Sequence, residues 1–132
     1  MIVDTSALVA IMRAESGHER IVAALLQEAS WEISAASYVE LSSVMGRTPE
    51  RQLVVDKTLV VFRVEIAPFD EAQARLAAAA YQRYGRGSGH PARLNMGDVY
   101  SYALARARDE PLLFVGDDFA RTDVTPALPS AA

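Results

Sequence analysis

The chain opens with MIVDTS (residues 1–6), a short apolar run that ends in an aspartate and continues into two hydroxyl residues. The apolar residues predict a strand, and Thr5 or Ser6 can cap a helix that reaches about Arg13. A related pattern returns late in the chain, where the strand-like run PLLFVG (residues 111–116) precedes two further aspartates. In both places an acidic residue directly follows an apolar, strand-like run.

Short strand-like runs alternate with longer helical segments along the chain. Strands are predicted at residues 1–4, 31–34, 64–67 and 112–115, and helices at 5–13, 17–29, about 38–46, 49–62, 71–84 and 98–108. This alternation is typical of right-handed βαβ crossovers and of a parallel sheet that is covered by helices on both faces. We therefore expect an α/β fold, a three-layer α/β/α sandwich with a mostly parallel central sheet.

The size and composition predict a single domain. The 132 residues are 51% hydrophobic, which suffices for a core and argues against disorder. No apolar run approaches the roughly 18 residues of a membrane span, and no basic region precedes the first apolar residues as in a signal peptide. The absence of cysteine excludes disulfides and fits a cytoplasmic location. We expect one domain over residues 1–132, with a loosely packed tail from about residue 125.

Acidic residues occupy positions where desolvation is costly. Asp4 follows the first predicted strand, and Asp117 and Asp118 follow the last one. Glu40 lies inside an apolar helical stretch, and Asp98 opens a helix. Sites in parallel sheets form at the carboxyl ends of strands, so several of these carboxylates should meet in one cleft. Oxygen ligands suit Mg²⁺ and Mn²⁺, and this arrangement suggests metal-assisted phosphodiester hydrolysis.

Each acid also has a simpler structural interpretation. A lone aspartate after a strand is often a helix cap, and Asp98 could merely satisfy a helix N-terminus, where an anion is stabilised by about 0.3–1 kcal/mol. Glu40 could be an exposed helix residue, although the neighbouring Leu41 and Val44 favour a cleft-facing position. The formal net charge of −4 is unfavourable for nucleic-acid binding, but part of that charge belongs to the predicted site itself.

Four motifs follow one another along the chain. They are IVDTSAL (residues 2–8), ASYVEL (36–41), LNMGDVYSYALA (94–105) and PLLFVGDDF (111–119), the last followed by Thr122 and Asp123. In this order they resemble the PIN-domain ribonucleases of the VapC toxin type, and the resemblance covers most of the chain. It implies a PIN-like fold, cleavage of RNA with Mg²⁺ or Mn²⁺, a homodimer, and a cognate antitoxin of the VapB type that docks over the active site.

The resemblance assigns catalytic and metal-binding roles to three acids, Asp4, Glu40 and Asp98. The fourth acid stays open between two neighbours. Asp117 lies nearer the predicted strand end and is the expected metal ligand. Asp118 is a second catalytic candidate, and it could instead cap the turn that follows.

Two further groups of polar residues complete the predicted site. Thr5 and Ser6 match the family's hydroxyl positions and are expected to orient Asp4, a metal-coordinated water or a phosphate. Arg83, Arg86 and Arg93 flank or lie within a glycine-containing loop at residues 85–93, which is either ordered or mobile. They are either ordinary surface charges or contacts to the RNA backbone.

Two competing interpretations remain. A receiver-type phosphoacceptor domain shares the alternating pattern, but it would need an acidic pair near the first strand and a lysine after a late one. The single lysine, Lys57, lies inside a predicted helix instead. A degenerate PIN scaffold that binds a partner without catalysis is the second alternative, and the intact set of acids argues against it.

Overall fold

The computed structural model of the protein describes residues 1–129. Its elements follow the order β1 (Ile2–Val3), α1 (Thr5–Met12), α2 (His18–Gln27), β2 (Trp31–Ser34), α3 (Ala35–Met45), α4 (Pro49–Val61), β3 (Val64–Ala67), α5 (Glu71–Tyr84), α6 (Met96–Arg108), β4 (Leu112–Leu113) and a 3₁₀ turn (Phe119–Arg121). Within these residues, no helix is both long and apolar enough to cross a membrane.

The four strands form one parallel sheet in the order β3-β2-β1-β4. Neighbouring side chains of a strand point to opposite faces, and each face carries its own core. Ile2 and Leu112 pack with α5 and α6, whereas Val3 and Leu113 pack with the four helices α1 to α4. The structure therefore has helices on both sides of the sheet, and the expectation of a three-layer α/β/α sandwich is confirmed.

The strand order creates a crevice beside β1. From β1 the chain moves to β2 and β3 on one side, and it then crosses through α5 and α6 to β4 on the other side. Ligand sites in open parallel sheets form where the strand order reverses, at the carboxyl ends of the strands. Asp4 is the first residue after β1, so the backbone alone brings this aspartate to that point.

The last strand is shorter than the sequence indicates. It was expected to continue to Val115, but β4 ends at Leu113. The N–H of Val115 donates to the Ser6 hydroxyl at 3.0 Å, outside the strand ladder, and Gly116 then takes a φ of 106°, which favours glycine. Asp117 consequently lies in a loop rather than at the end of the strand.

The C-terminal segment follows the free edge of β4. The Leu112 N–H donates to the Thr125 carbonyl and the Ala127 N–H donates to the Leu112 carbonyl, each at 2.9 Å. Ala127 and Leu128 also pack against the core. Residues 125–128 are thus held more firmly than the loose tail expected from the sequence, because backbone hydrogen bonds attach them to the sheet. Residues 130–132 of that tail lie outside the described residues.

Candidate active site

Asp4 is the most firmly held acid of the crevice. Its residue is 4% exposed, and its side chain caps α1. One carboxylate oxygen accepts hydrogen bonds from the Ser6 N–H at 3.0 Å and the Ser6 hydroxyl at 2.6 Å. The other accepts from the Ser101 hydroxyl at 2.5 Å. The capping role and the cleft position are therefore combined in one carboxylate whose orientation is fixed on both sides.

Buried hydroxyl groups connect the elements that meet around Asp4. Ser101 of α6 and Ser37 of α3 lie with their hydroxyl oxygens 3.2 Å apart, and the Thr5 hydroxyl donates to the Ser37 carbonyl at 3.2 Å. The Ser6 hydroxyl also accepts the N–H of Val115 from the loop after β4. These bonds join α1, α3, α6 and that loop around a single carboxylate.

Ser37 and Ser101 were not identified from the sequence. Each is one helical turn from an acid, since Ser37 precedes Glu40 by three residues and Ser101 follows Asp98 by three. Residues at this spacing share a helix face. This three-residue spacing was the sequence signal that could have identified the two serines. It was missed because serine in a helix is usually an ordinary polar residue.

Glu40 extends from α3 toward the first turn of α6. The residue is half-buried, and a Cβ atom built on Gly97 would overlap the Glu40 carboxylate, so this carboxylate lies directly against the glycine. Burial raises the pKa of Glu40, and the negative charge of Asp4 raises it further, while the neighbouring Thr5 hydroxyl acts in the opposite direction. Glu40 is therefore a cleft residue and not a solvated helix side chain.

Asp98 closes the capping box of α6. Its carboxylate accepts the Asn95 N–H at 2.9 Å, and the Asn95 side chain accepts the Asp98 N–H at 2.9 Å. Burial raises the pKa of Asp98 to about 6 against the effect of the Asn95 hydrogen bond, and the charges of Asp4, Asp118 and Glu40 add to the increase. The simple capping interpretation is thus correct but incomplete, because the same carboxylate also interacts with three other acids.

The two candidates for the fourth acid lie in different surroundings. Asp118 is one of the charges that act on Asp98. It makes no side-chain capping bond to the turn Phe119–Arg121, so its expected capping role is not found. Asp117 instead lines a separate cavity of about 480 Å³ with residues that include His18 and Arg20. Of the two, Asp118 is the one whose charge acts on Asp98, which favours it over the Asp117 expected from the sequence, and the identity of the fourth acid stays a prediction.

The chemistry of these side chains fits a hard divalent cation. The donors are carboxylate and hydroxyl oxygens, the ligand type that Mg²⁺ and Mn²⁺ prefer. The charges of neighbouring carboxylates raise the pKa of Glu40 and of Asp98, and a nearby positive charge would relieve that repulsion. Among residues 1–129, no group of three or more histidine, aspartate or glutamate side chains stands in a ready-made metal-binding arrangement.

The three arginines proposed to contact RNA are exposed on and beside the loop at residues 85–93. The Arg83 guanidinium lies 4.8 Å from the centre of the Tyr84 ring. The base of the loop is closed by the Arg86 N–H, which donates to the Leu94 carbonyl at 3.0 Å, and by the Leu94 N–H, which donates to the Tyr84 carbonyl at 2.9 Å. Arg83, Arg86 and Arg93 are accessible to a polyanion, and their contact with RNA stays a prediction.

Comparison with known proteins agrees with this arrangement. The family model described as PIN domain matches residues 1–124. Ribonuclease VapC42 from Mycobacterium tuberculosis is 54% identical over 129 residues, which cover 96% of this chain and 98% of the relative. Ribonuclease VapC28 from the same species is 48% identical over 130 residues, covering 97% and 98% of the two chains.

A solved structure shares the fold at much lower identity. A toxin–antitoxin complex from Klebsiella pneumoniae contains a chain that superimposes with a TM-score of 0.70 at 19% identity, covering 96% of this chain and 97% of that one. The family-model match and the identity over nearly the full length agree with the motif order and with the carboxylates gathered beside β1. This chain belongs to the PIN-domain family and, within it, to the VapC ribonucleases.

Proposed function

We propose that this protein is the toxin of a toxin–antitoxin pair, a metal-dependent endoribonuclease that hydrolyses phosphodiester bonds in RNA. The observation that carries the proposal is the meeting of three acids beside the carboxyl end of β1, where Asp4 accepts a hydrogen bond from Ser101 of α6 and the Glu40 carboxylate lies against Gly97, next to Asp98 in the first turn of α6. The names of the relatives, ribonucleases of the VapC type, support the same reaction. A cytoplasmic location fits an RNA substrate.

We assign Mg²⁺ or Mn²⁺ to these carboxylates. When bound, such a cation would activate the attacking water and neutralise charge on the scissile phosphate. Asp4, held by three hydrogen bonds, would bind the cation in a fixed orientation. Glu40 and Asp98 approach from two different helices, and the pKa of Asp98, raised to about 6, makes this acid suited to exchange a proton near neutral pH. Asp118 would complete the set from the loop after β4.

We further propose a VapB-type antitoxin as the protein partner and a homodimer as the assembly. The chain carries a net charge of −4 and an acidic cleft, so a basic antitoxin segment is the complementary ligand. An arginine or lysine of that segment would compete for the position of the cation. Mass measurement of the isolated protein, and of the protein co-expressed with a neighbouring basic reading frame, tests both assemblies.

Cleavage of structured RNA by the purified protein tests the enzymatic proposal. We expect cleavage with Mg²⁺ or Mn²⁺, none with chelator, and none with the Asp4→Asn protein. Sequencing of RNA 5′ ends after induced expression, beside the same control, would then locate the target. A folded protein that binds the antitoxin but cleaves no RNA under any of these conditions would instead identify a degenerate PIN scaffold.

A further inference from the structure

The backbone conformation at residue 97 does not require glycine. Gly97 occupies the second position of α6, and its φ is not in the left-handed region, unlike Gly17, Gly87, Gly89 and Gly116. Glycine stabilises a helix less than alanine does, because it loses more conformational freedom on folding. A residue that opposes local helix preference is typically explained by a neighbour or by function.

The neighbour of Gly97 is the Glu40 carboxylate. A Cβ atom at position 97 would overlap Oε2 of Glu40 and would lie 2.6 Å from its Cδ and 2.9 Å from its Oε1. The overlap involves the far end of a flexible side chain and not the backbone, so a substituted protein can relieve it by moving Glu40. The consequence of a side chain at position 97 is therefore displacement of a site carboxylate rather than disruption of the fold.

We propose that Gly97 is a positioning residue, whose missing side chain leaves the space in which Glu40 reaches the first turn of α6 beside Asp98. This inference rests on the proposed function, because it assigns Gly97 a role in arranging the acids that are proposed to bind the cation. The first turn of a helix has N–H groups without intrahelical partners, and these groups stabilise a nearby carboxylate. The Glu40 carboxylate is therefore stabilised beside the first turn of α6.

The test compares Gly97→Ala with a matched control, Gly46→Ala. At Gly46 an added Cβ would overlap the side-chain oxygen of Gln52, which is also the far end of a polar side chain but is not one of the clustered acids. In chelator we expect Gly97→Ala to keep its melting temperature or to gain roughly 2–4 °C from helix preference. Its kcat for RNA should fall roughly 100-fold with little change in KM, as expected for a misplaced catalytic group.

Metal binding supplies a readout that does not depend on cleavage. We expect the Mn²⁺ concentration that gives half of the full rise in melting temperature to increase about tenfold in Gly97→Ala, which corresponds to about 1.4 kcal/mol. Gly46→Ala should retain the cleavage rate and the Mn²⁺ response of the wild-type protein.

A shorter acid should remove the conflict. Glu40→Asp withdraws the carboxylate by one methylene, so adding Gly97→Ala to that variant should reduce its kcat by less than about threefold, in contrast to the loss in the wild-type background. An equal loss in both backgrounds, or a lower melting temperature in chelator, would show that Gly97 serves the helix and not Glu40. Wild-type protein without metal-dependent cleavage would overturn the proposed function and this role together. Wild-type cleavage with an equally active Gly97→Ala protein would overturn only the role of Gly97.

Discussion

Replacing Asp98 by asparagine should stabilise the metal-free protein. The pKa of Asp98 is raised from 3.8 to about 6, mainly by burial and in part by the charges of Asp4, Asp118 and Glu40. Such a change corresponds to about 3 kcal/mol at neutral pH if it is taken in full. Because Asp98 is only partly buried, solvent screening reduces this, and we expect a gain of about 1–2 kcal/mol in the free energy of unfolding.

The pH dependence follows from the direction of the pKa change. An acid whose pKa is higher in the folded state stabilises the fold while it is protonated, and this contribution is complete below the unfolded value near 3.8. Stability should then fall as the pH rises toward about 6 and level off above it. Asp98→Asn lacks this titration, so its advantage should be small at pH 4 and greatest above pH 6. The asparagine oxygen can still accept the Asn95 N–H, so the capping bond can persist.

Thermal unfolding between pH 4 and pH 8, in chelator and in excess Mn²⁺, provides the assay. In chelator at pH 7.5 we expect Asp98→Asn to melt about 3–8 °C above the wild-type protein. Excess Mn²⁺ should reverse the order, because a ligand at 100 times its Kd stabilises the fold by about 2.7 kcal/mol and the variant has lost one of its proposed ligands.

Asp70→Asn is the matched control. Asp70 caps α5 through the Gln73 N–H and is not among the charges that act on Asp98, and asparagine is an equally good cap. Its stability should change little at any pH. A melting temperature of Asp98→Asn below that of the wild-type protein in chelator at pH 7.5 would refute the reasoning. Asp98 would then be a scaffold residue whose capping bond outweighs the repulsion.

Three further predictions concern the other acids and the partner. Asp4→Asn and Glu40→Gln should each abolish RNA cleavage while the circular dichroism spectrum stays that of a folded protein, and Asp4→Asn should lose about 1 kcal/mol of stability because its amide cannot accept all three present hydrogen bonds. Asp118→Asn should raise the Mg²⁺ or Mn²⁺ concentration needed for cleavage, whereas Asp117→Asn should not; the opposite titration result would make Asp117 the fourth acid. A co-expressed basic antitoxin should inhibit cleavage and bind less tightly at 0.5 M than at 0.1 M salt, and a complex that leaves cleavage unchanged would contradict the toxin assignment.

The fold could be predicted because each local pattern agreed with the global arrangement. The strands Trp31–Ser34 and Val64–Ala67 occur where the sequence indicated them, and the helices differ mainly at their ends. The last strand was predicted too long, since its apolar residues continue to Val115. After the strand ends, the Val115 N–H donates to the hydroxyl of Ser6, a residue 109 positions away in the sequence, and such a contact leaves no local signal.

The site was predictable in part for the same reason. Asp4, Glu40 and Asp98 stand out because each carboxylate interrupts an apolar or helix-starting pattern. The choice between Asp117 and Asp118 depends on the direction of the chain after Gly116, and neighbouring acids in a loop have no periodicity that could decide it. The role of Ser101 depends on its hydrogen bond to Asp4, a residue 97 positions away in the sequence. Only the folded chain brings the two residues together.

The clustered acids destabilise the fold that positions them. Among residues 1–129, the side-chain ion pairs of arginine involve other acids: Arg75 with Glu71, Arg106 with Asp123, and Arg108 with Glu32. The protein thus gathers carboxylates in a half-buried crevice and leaves their mutual repulsion without a cationic side chain. Hydroxyl hydrogen bonds fix the orientation of Asp4 but do not neutralise its charge. A bound divalent cation would do so, and at 100 times its Kd such a ligand would stabilise the fold by about 2.7 kcal/mol. Occupancy of the proposed metal site and stability of the fold should therefore rise together.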